Sequence, residues 1–235
     1  MLSVIIPCYN EESNLEMLFA KVITFLTKMP EAEVVLVNNG STDSSLTKMN
    51  TFKLENPLLD IRICSVKVNE GYGFGILSGL NVAKNEILAW THADLQTDLM
   101  DCIGAYQVFE KENNQNILVK GFRKERKLSE VILSYGMALL ASSKLKKWLT
   151  EINAQPKMFH KSFYDSIKKG APKDFSLDLY FCYEAKKKGQ ILTIPVKFIP
   201  RIAGEAKGGS GSSLKTKVKI VKRTLKFIKE LGNKA

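Results

Sequence analysis

Short apolar runs alternate with amphipathic segments through the first ninety residues of the chain. The apolar runs are rich in Val, Ile and Leu, which is typical of strands buried on both faces of a parallel sheet. Four such strands are predicted, at residues 3–7, 33–38, 61–66 and 86–90. Apolar steps of three and four residues between them predict helices at 11–26, 44–54 and 73–84. This alternation indicates an α/β fold, with a mainly parallel sheet and helices on both faces.

Local signals refine the first predicted helix and the second half of the chain. Asn10 is a plausible N-cap, with Glu11 and Glu12 in the favourable first turn. Further elements are predicted as strands at 116–122 and 191–199, an apolar segment at 129–149 and a helix at 175–188. The apolar segment ends among lysines and Trp148, which suits either a core helix or a helix lying in a membrane interface.

The last thirty residues differ from the rest of the chain. Residues 208–213 are glycine and serine, which predicts a flexible hinge. Apolar residues from Leu214 to Leu231 then recur at helical spacing among lysines. This basic amphipathic helix either attaches to an anionic membrane surface or packs on the body with its basic face in solvent. We expect one domain at 1–207, with the hinge and helix at 208–235.

Composition and charge narrow the class of protein. The chain has 235 residues, 45% of them hydrophobic and 25% charged, which excludes disordered, collagen-like and disulfide-scaffold proteins. Net charge is +11, of which +7 lies in residues 205–235. Because the body shows no recognition motif, nucleic acid is not an expected partner. Four cysteines without a C-x-x-C pair exclude a zinc module and indicate buried free thiols. The first strand has no basic region before it, so we expect a cytoplasmic protein.

Ligands of such sheets bind beyond the carboxyl ends of the strands, so the four loops there are the candidate site. The first loop, 7–12, has no glycine and two acids, which excludes a Rossmann or P-loop turn. Its Tyr9 ring and Glu11 carboxylate suit a base and ribose hydroxyls. The second loop, 38–43, offers amide and carboxylate groups for a base edge, or is a plain turn with an Asp43 cap.

The third and fourth loops suggest a closer approach to a ligand. Residues 69–75 place three glycines at a helix entry, where a ligand can approach the backbone. In the fourth loop, His92, Asp94 and Gln96 share one side if the chain stays extended. An imidazole, a carboxylate and an amide oxygen together suit a divalent cation. The alternative is a polar strand end followed by a helix cap at Thr97 or Asp98.

The four loops resemble, in order and spacing, those of family 2 glycosyltransferases with the GT-A fold. The matching pieces lie at 3–12, 37–43, 69–71 and 93–96. They are most similar to the branch that contains dolichol-phosphate mannose synthase and bacterial polyprenyl-phosphate sugar transferases, whose metal motif reads D-A-D-L-Q. The likeness is strong over the first hundred residues and looser up to Lys207. It implies a nucleotide-sugar-binding half at 1–98 and an acceptor half at 99–207.

The resemblance also implies residues for the sugar donor. Those that bind the nucleotide sugar are Pro7, Tyr9, Glu11, Asn38, Gly71, Asp94, Arg201 and Lys207. Asp94 and Gln96 are implied to hold Mg²⁺ or Mn²⁺ on the donor's diphosphate. His92 replaces an acid of the family motif, which is expected to weaken binding of a hard cation and, if the imidazole ligates, to favour Mn²⁺. Asn38 and Asn39 replace two acids, so recognition of the base changes from acceptor-only to mixed donor and acceptor.

For the acceptor, the resemblance points to four residues of the second half. Arg123 lies in a G-x-R element whose arginine binds phosphate. Gln155 and Lys157 belong to an N-x-Q-P-K-x-F element beside the acceptor pocket. Asp178 is the candidate general base or acceptor-orienting acid, although an acid there also interacts favourably with the helix dipole.

These inferences predict an inverting glycosyltransferase that moves a sugar from a nucleotide-diphosphate sugar to a polyprenyl-phosphate-type acceptor. The basic tail and the apolar second half favour a lipid-phosphate acceptor and peripheral attachment at the inner face of the membrane. One alternative is transfer to a saccharide hydroxyl in cell-surface polysaccharide synthesis. Another is a degenerate, non-catalytic nucleotide-sugar-binding subunit, because His92 and the two asparagines change two sites at once.

Overall fold

The computed structural model describes residues 1–124, 128–200 and 214–233. The strands in this part of the chain are β1 (Leu2–Cys8), β2 (Glu33–Asn39), β3 (Ile61–Val66), β4 (Ile87–Trp90), β5 (Ile117–Lys124), β6 (Lys157–His160) and β7 (Gln190–Lys197). The helices are α1 (Leu15–Lys28), α2 (Ser45–Glu55), α3 (Tyr72–Val82), α4 (Asp101–Glu112), α5 (Leu128–Leu145), α6 (Lys161–Ile167), α7 (Leu177–Lys188) and α8 (Leu214–Gly232).

The strands form one sheet in the order β3-β2-β1-β4-β6-β5-β7. β6 is antiparallel to both of its neighbours, β4 and β5, while the other neighbouring pairs are parallel. The predicted mainly parallel α/β sheet is therefore confirmed. The sequence pattern predicted neither β6 nor α4. β6 has only four residues and begins at a lysine, so it shows no apolar run.

Alternate residues of the central strands point to opposite faces of the sheet. In β1, Val4 and Ile6 pack with α1, α2 and α4, whereas Ile5 packs on the face that carries α3, α5, α6, α7 and α8. Full burial of each such side chain contributes about 1.5 to 3 kcal/mol. The cysteines are free, and burial raises the pKa of the Cys8 and Cys102 thiols, as expected of buried thiols.

α1 begins later than the sequence predicts. Asn10 has a φ of 53°, in the left-handed region, and the helix begins at Leu15. Glu11 and Glu12 therefore precede the helix instead of lying in its first turn. The Glu12 carboxylate accepts a hydrogen bond from the Ser44 amide at 3.0 Å. The prediction of an Asn10 cap is wrong because these polar residues bind the neighbouring loop.

The carboxyl end of α8 packs on the body of the protein. Ile228 and Leu231 are buried against α5 and α7, while Val218 and Leu225 are more than 40% exposed. None of the described helices is both long and apolar enough to span a membrane. The predicted hinge and the domain boundary at 207 lie outside the described residues, so that division stays a prediction.

Candidate functional site

The loops that follow β1 and β2 are joined to each other at one edge of the sheet. The Thr42 amide donates to Asn10 Oδ1 (2.8 Å), and the Asn10 amide donates to Ser41 Oγ (3.1 Å). The Glu12 amide donates to Asp43 Oδ2 (3.2 Å). Because each such bond contributes about 0.5 to 1.5 kcal/mol net, the two loops form a single platform.

The residues predicted to hold the nucleoside lie on this platform. Pro7 and Tyr9 are half-buried at the end of β1. The Asn38 side chain is buried and bonded at both ends of its amide. Its Nδ2 donates to Ser65 Oγ (2.9 Å), and its Oδ1 accepts from the Ser41 amide (3.1 Å). Asn38 therefore connects β2, β3 and the second loop, and these contacts of its amide are to protein.

The glycines of the third loop permit close contact with protein. A Cβ on Gly71 would lie 2.4 Å from the Lys173 carbonyl oxygen, and one on Gly73 would lie 2.6 Å from that of Pro172. Gly71 also has a φ of 133°, a conformation that side chains disfavour. The close approach expected for a ligand is therefore made by the segment that precedes α7, which positions the amino end of α3.

The fourth loop does not stay extended, which was the condition for His92, Asp94 and Gln96 to share one side. β4 ends at Trp90, and Leu95 has a φ of 59°, so the chain turns. His92 Nδ1 and Asp94 Oδ2 nevertheless lie 3.9 Å apart. Gln96 is directed elsewhere, since its Nε2 donates to the carbonyl oxygen of Ile199 at 3.3 Å.

The chemistry of this pair fits a divalent cation in part. The described residues contain no group of three His, Cys, Asp or Glu that could hold a metal ion. The Asp94 carboxylate, 12% exposed, offers the hard oxygen that Mg²⁺ or Mn²⁺ prefers. Such a cation keeps several water ligands and takes substrate phosphate oxygens, so one protein carboxylate is compatible with it.

Asp178 lies in the first turn of α7 and is buried with its two partners. Its Oδ1 accepts hydrogen bonds from Lys157 Nζ and from Gln155 Nε2, the latter at 2.9 Å. Lys157 has no exposed surface, and its Nζ also donates to the Ala154 carbonyl oxygen at 3.1 Å. The structure therefore brings the three predicted acceptor residues Gln155, Lys157 and Asp178 together.

A tyrosine that sequence reasoning missed connects this group to the fourth loop. Gln155 Nε2 donates to the Tyr72 hydroxyl at 3.4 Å, and that hydroxyl lies 3.2 Å from His92 Nε2. The Tyr72 ring stacks on Phe175 at 4.9 Å. Burial and the nearby Asp178 carboxylate raise the pKa of Tyr72 well above its usual value. An aromatic residue between two glycines at a helix entry was the available signal.

Arg123, predicted to bind phosphate, lies in β5 and is paired with an acid. Its Nε donates to Glu151 Oε2 at 2.7 Å, and both side chains are at most 10% exposed. Lys120, on the same strand, is buried and donates to the Glu151 carbonyl oxygen at 2.9 Å. Burial lowers the pKa of Lys120 to about 8. Arg201 and Lys207, predicted to bind phosphate, lie outside the described residues.

Two relatives of this chain act on polyprenyl phosphates. It is 31% identical over 127 residues to dodecaprenyl-phosphate galacturonate synthase of Rhizobium johnstonii, a match that covers 54% of this chain and 37% of that protein. It is 25% identical over 174 residues to dolichyl-phosphate β-glucosyltransferase of Dictyostelium discoideum, covering 67% and 53%. The chain therefore matches only about a third to a half of the length of these relatives.

Solved structures and a family model agree on the fold. Glucosyl-3-phosphoglycerate synthase of Mycobacterium tuberculosis, solved with Mn²⁺, UDP and glucosyl-3-phosphoglycerate, superposes with a TM-score of 0.69 at 16% identity. That alignment covers 99% of this chain and 80% of the other, and the shared architecture is the GT-A fold. The family model described as glycosyl transferase family 2 matches residues 3–169. This chain therefore belongs to glycosyl transferase family 2.

Proposed function

We propose that the protein transfers a sugar from a nucleotide-diphosphate sugar to a polyprenyl phosphate, with inversion at the anomeric carbon. One observation carries the proposal: hydrogen bonds connect His92, through Tyr72 and Gln155, with Asp178, and His92 Nδ1 lies 3.9 Å from the Asp94 carboxylate. The donor-diphosphate end and the acceptor end of the site are thus adjacent. The names of the relatives supply the class of acceptor.

On the donor side, Pro7, Tyr9, Glu11 and Asn38 hold the nucleoside on the platform of the first two loops. Asp94 would hold Mg²⁺ or Mn²⁺, which supplies neutralisation of the charge that develops on the leaving diphosphate. Arg201 and Lys207 add positive charge there. The platform is bonded before the donor arrives, so donor binding orders few further residues.

On the acceptor side, a phosphate oxygen attacks the anomeric carbon while the bond from that carbon to the diphosphate breaks. Nucleoside diphosphate leaves, and the product is a polyprenyl-phosphate sugar. The acceptor phosphate is already ionised at neutral pH, so it requires positioning more than a base. Asp178, held by Lys157 and Gln155, orients the acceptor side of the pocket. Arg123 contributes positive charge near the acceptor phosphate.

An apolar surface at the end of α5 supports a lipid acceptor. Leu139 is 62% exposed and Trp148 is 68% exposed. A cavity of about 180 Å³ lies there, and its lining consists of Gly136, Ala138, Leu139, Ser142, Trp148, Leu149 and Thr150. The neighbouring lysines 144, 146 and 147 are exposed. Apolar side chains flanked by cations suit an isoprenoid chain at an anionic membrane surface, which supports the proposal of peripheral attachment at the inner face of the membrane.

A transfer assay tests the function. Purified protein is incubated with radiolabelled UDP- or GDP-sugars, undecaprenyl phosphate in detergent, and Mn²⁺, Mg²⁺ or EDTA, and label is counted in the organic phase. We expect metal-dependent transfer from one nucleotide family. Nucleotide-sugar binding without transfer to lipid or saccharide would overturn the enzymatic proposal and favour a binding subunit.

The buried Asp178 carboxylate favours one second candidate, transfer to a saccharide hydroxyl, because a hydroxyl needs a base. Label would then appear in a water-soluble oligosaccharide instead of the organic phase. Asp178→Asn would abolish that transfer while leaving nucleotide binding intact, and near-normal turnover of this variant would exclude the candidate.

A further inference from the structure

Arg123 lies at the edge of the sheet that carries the candidate site. β5 is antiparallel to β6, which is itself antiparallel to β4, so β5 and β4 run in the same direction. Arg123 is the last residue but one of β5. A Cβ on Gly121, two residues earlier, would overlap with the carbonyl oxygen of Gln155. Arg123 therefore lies beside the segment that contributes Gln155 to the acceptor side of the site.

Glu151, at the start of that segment, holds the Arg123 side chain. Its Oε2 accepts a hydrogen bond from Arg123 Nε at 2.7 Å, and the Glu151 side chain is only 4% exposed. The Arg123 Cζ atom lies 5.4 Å from the centre of the Phe198 ring. Because a guanidinium is planar and rigid, contacts at Nε and on its face set the direction of its two terminal nitrogens. Those terminal nitrogens can bind two oxygens of a phosphate side by side.

The backbone of Glu151 is held in an uncommon conformation. Its φ of 47° lies in the left-handed region, which costs free energy for a residue with a side chain. Its carbonyl oxygen accepts hydrogen bonds from the buried Lys120 Nζ at 2.9 Å and from the Ala154 amide at 3.1 Å. These contacts offset the strain and keep the Glu151 carboxylate on Nε of Arg123.

We infer that Glu151 is a positioning residue, which orients Arg123 so that its terminal nitrogens bind the phosphate of an isoprenyl phosphate. Glu151 acts through Arg123 and does not itself contact the acceptor. This inference deepens the proposed function, on which it rests for the identity of the phosphate. Loss of the Glu151 oxygen weakens binding of the phosphate and leaves the contacts of the isoprenoid chain unchanged.

Titration calorimetry with farnesyl phosphate and with farnesol, in the same detergent, tests this role. Glu151→Met keeps the length of the side chain and removes the acceptor oxygen. We expect it to raise Kd for farnesyl phosphate about tenfold and to leave Kd for farnesol unchanged. Glu151→Gln retains an oxygen that accepts from Nε, so its Kd should stay within about threefold of the wild type. Phe198→Leu removes the ring beneath the guanidinium and should also raise Kd for farnesyl phosphate.

A second pair of the same kind supplies the matched control. Glu33 has no exposed surface, and its Oε1 accepts from Arg62 Nε at 2.7 Å. Glu33 is the first residue of β2, so this pair lies at the opposite edge of the sheet from the site. Glu33→Met therefore removes an equivalent hydrogen bond and should destabilise the protein without changing Kd for farnesyl phosphate.

Four results would overturn the inference. They are no binding of farnesyl phosphate by the wild type, an equal increase of Kd in Glu33→Met, an unchanged Kd in both Glu151→Met and Phe198→Leu, and a lower Kd in Glu151→Met, which would make the carboxylate a competitor of the phosphate. The transfer assay above is read separately. Binding that depends on Glu151 without any transfer would overturn the proposed function alone, whereas transfer with binding independent of Glu151 would overturn this inference alone.

Discussion

Lys157 and Asp178 form a buried ion pair. The Lys157 side chain has no exposed surface, and the Asp178 side chain is 4% exposed. Taking one charge away leaves the other buried without a partner, which typically destabilises a protein by about 3 to 5 kcal/mol. We expect Lys157→Met and Asp178→Asn each to lower the free energy of unfolding by about this amount in urea titrations.

A double variant and an exposed ion pair serve as controls for this prediction. Lys157→Met combined with Asp178→Asn removes both charges, so its loss should be clearly smaller than the sum of the two single losses. Asp165→Asn breaks an exposed pair with Lys168 and should cost less than about 1 kcal/mol. Additive losses at 157 and 178 would contradict the buried pair.

Lys120 predicts a pH dependence of stability. Its pKa is about 8 in the folded protein and 10.5 ordinarily. Between these values the unfolded chain holds a proton that the folded chain lacks, so this group makes stability rise with pH from about 8 to 10.5. The rise is on the order of 3 kcal/mol. Lys120→Met should remove this increase in the free energy of unfolding when unfolding is measured between pH values of about 8 and 10.5. Lys53→Met, at an exposed lysine, should retain it.

Asp94 should make the affinity for the nucleotide depend on the metal ion. In titration calorimetry with UDP or GDP, we expect EDTA to raise Kd of the wild type at least about tenfold, which corresponds to about 1.4 kcal/mol. Asp94→Asn should bind with nearly the same Kd with or without Mn²⁺. Asp98 lies on the same loop as Asp94 and forms an exposed ion pair with Lys21 of α1. Asp98→Asn should therefore keep the metal dependence. Full metal dependence in Asp94→Asn would exclude this carboxylate as the ligand.

Gly71 should not tolerate a side chain. Gly71→Ala places a methyl group 2.4 Å from the Lys173 carbonyl oxygen at a φ of 133°, so we expect a loss of at least about 2 kcal/mol. Gly136→Ala, on α5 with nothing within 4 Å of the added atom, should instead raise stability by about 1 kcal/mol. Thermal and urea unfolding of both variants measure the difference, and equal effects would contradict the packing described for the third loop.

Substitutions in the exposed apolar surface at the end of α5 should weaken binding of the lipid acceptor and leave binding of the nucleotide unchanged. Trp148→Gln and Leu139→Gln are expected to raise KM for undecaprenyl phosphate several-fold, because an isoprenoid chain loses apolar contacts. Kd for the nucleotide should stay unchanged in both. Leu58→Gln, 98% exposed on the loop before β3, is the matched control. Unchanged KM in both variants would remove this surface from the acceptor site.

The sequence pattern predicted the first four strands and the edge of the sheet that carries the site, because buried parallel strands leave long apolar runs. β6 was not predicted because it begins at a lysine, and a lysine does not indicate a buried strand. Lys157 is buried because it pairs with Asp178, which is 21 residues away along the chain. His92 and Asp94 lie close together, but the turn at Leu95, which side-chain alternation does not encode, precedes Gln96, whose side chain is directed to Ile199.

Contacts between distant residues account for the other differences. Tyr72 meets Gln155 across 83 positions and His92 across 20, and no local pattern signals such a meeting. The G-x-R element predicts a phosphate ligand at Arg123 but does not indicate its ion pair with Glu151, which forms only when β5 lies beside the segment that precedes β6. Charged residues were thus recognised by type, while their partners required the fold.

The position of β6 has a consequence for how the chain is made. β4 pairs with β1 on one side and with β6 on the other, so until residues 157–160 have been synthesised one edge of β4 has no partner. An open apolar edge is a site of aggregation. A fragment that ends at residue 98 should therefore associate with itself or with chaperones. The sheet of residues 1–98 therefore depends for one of its edges on a strand supplied by residues 157–160.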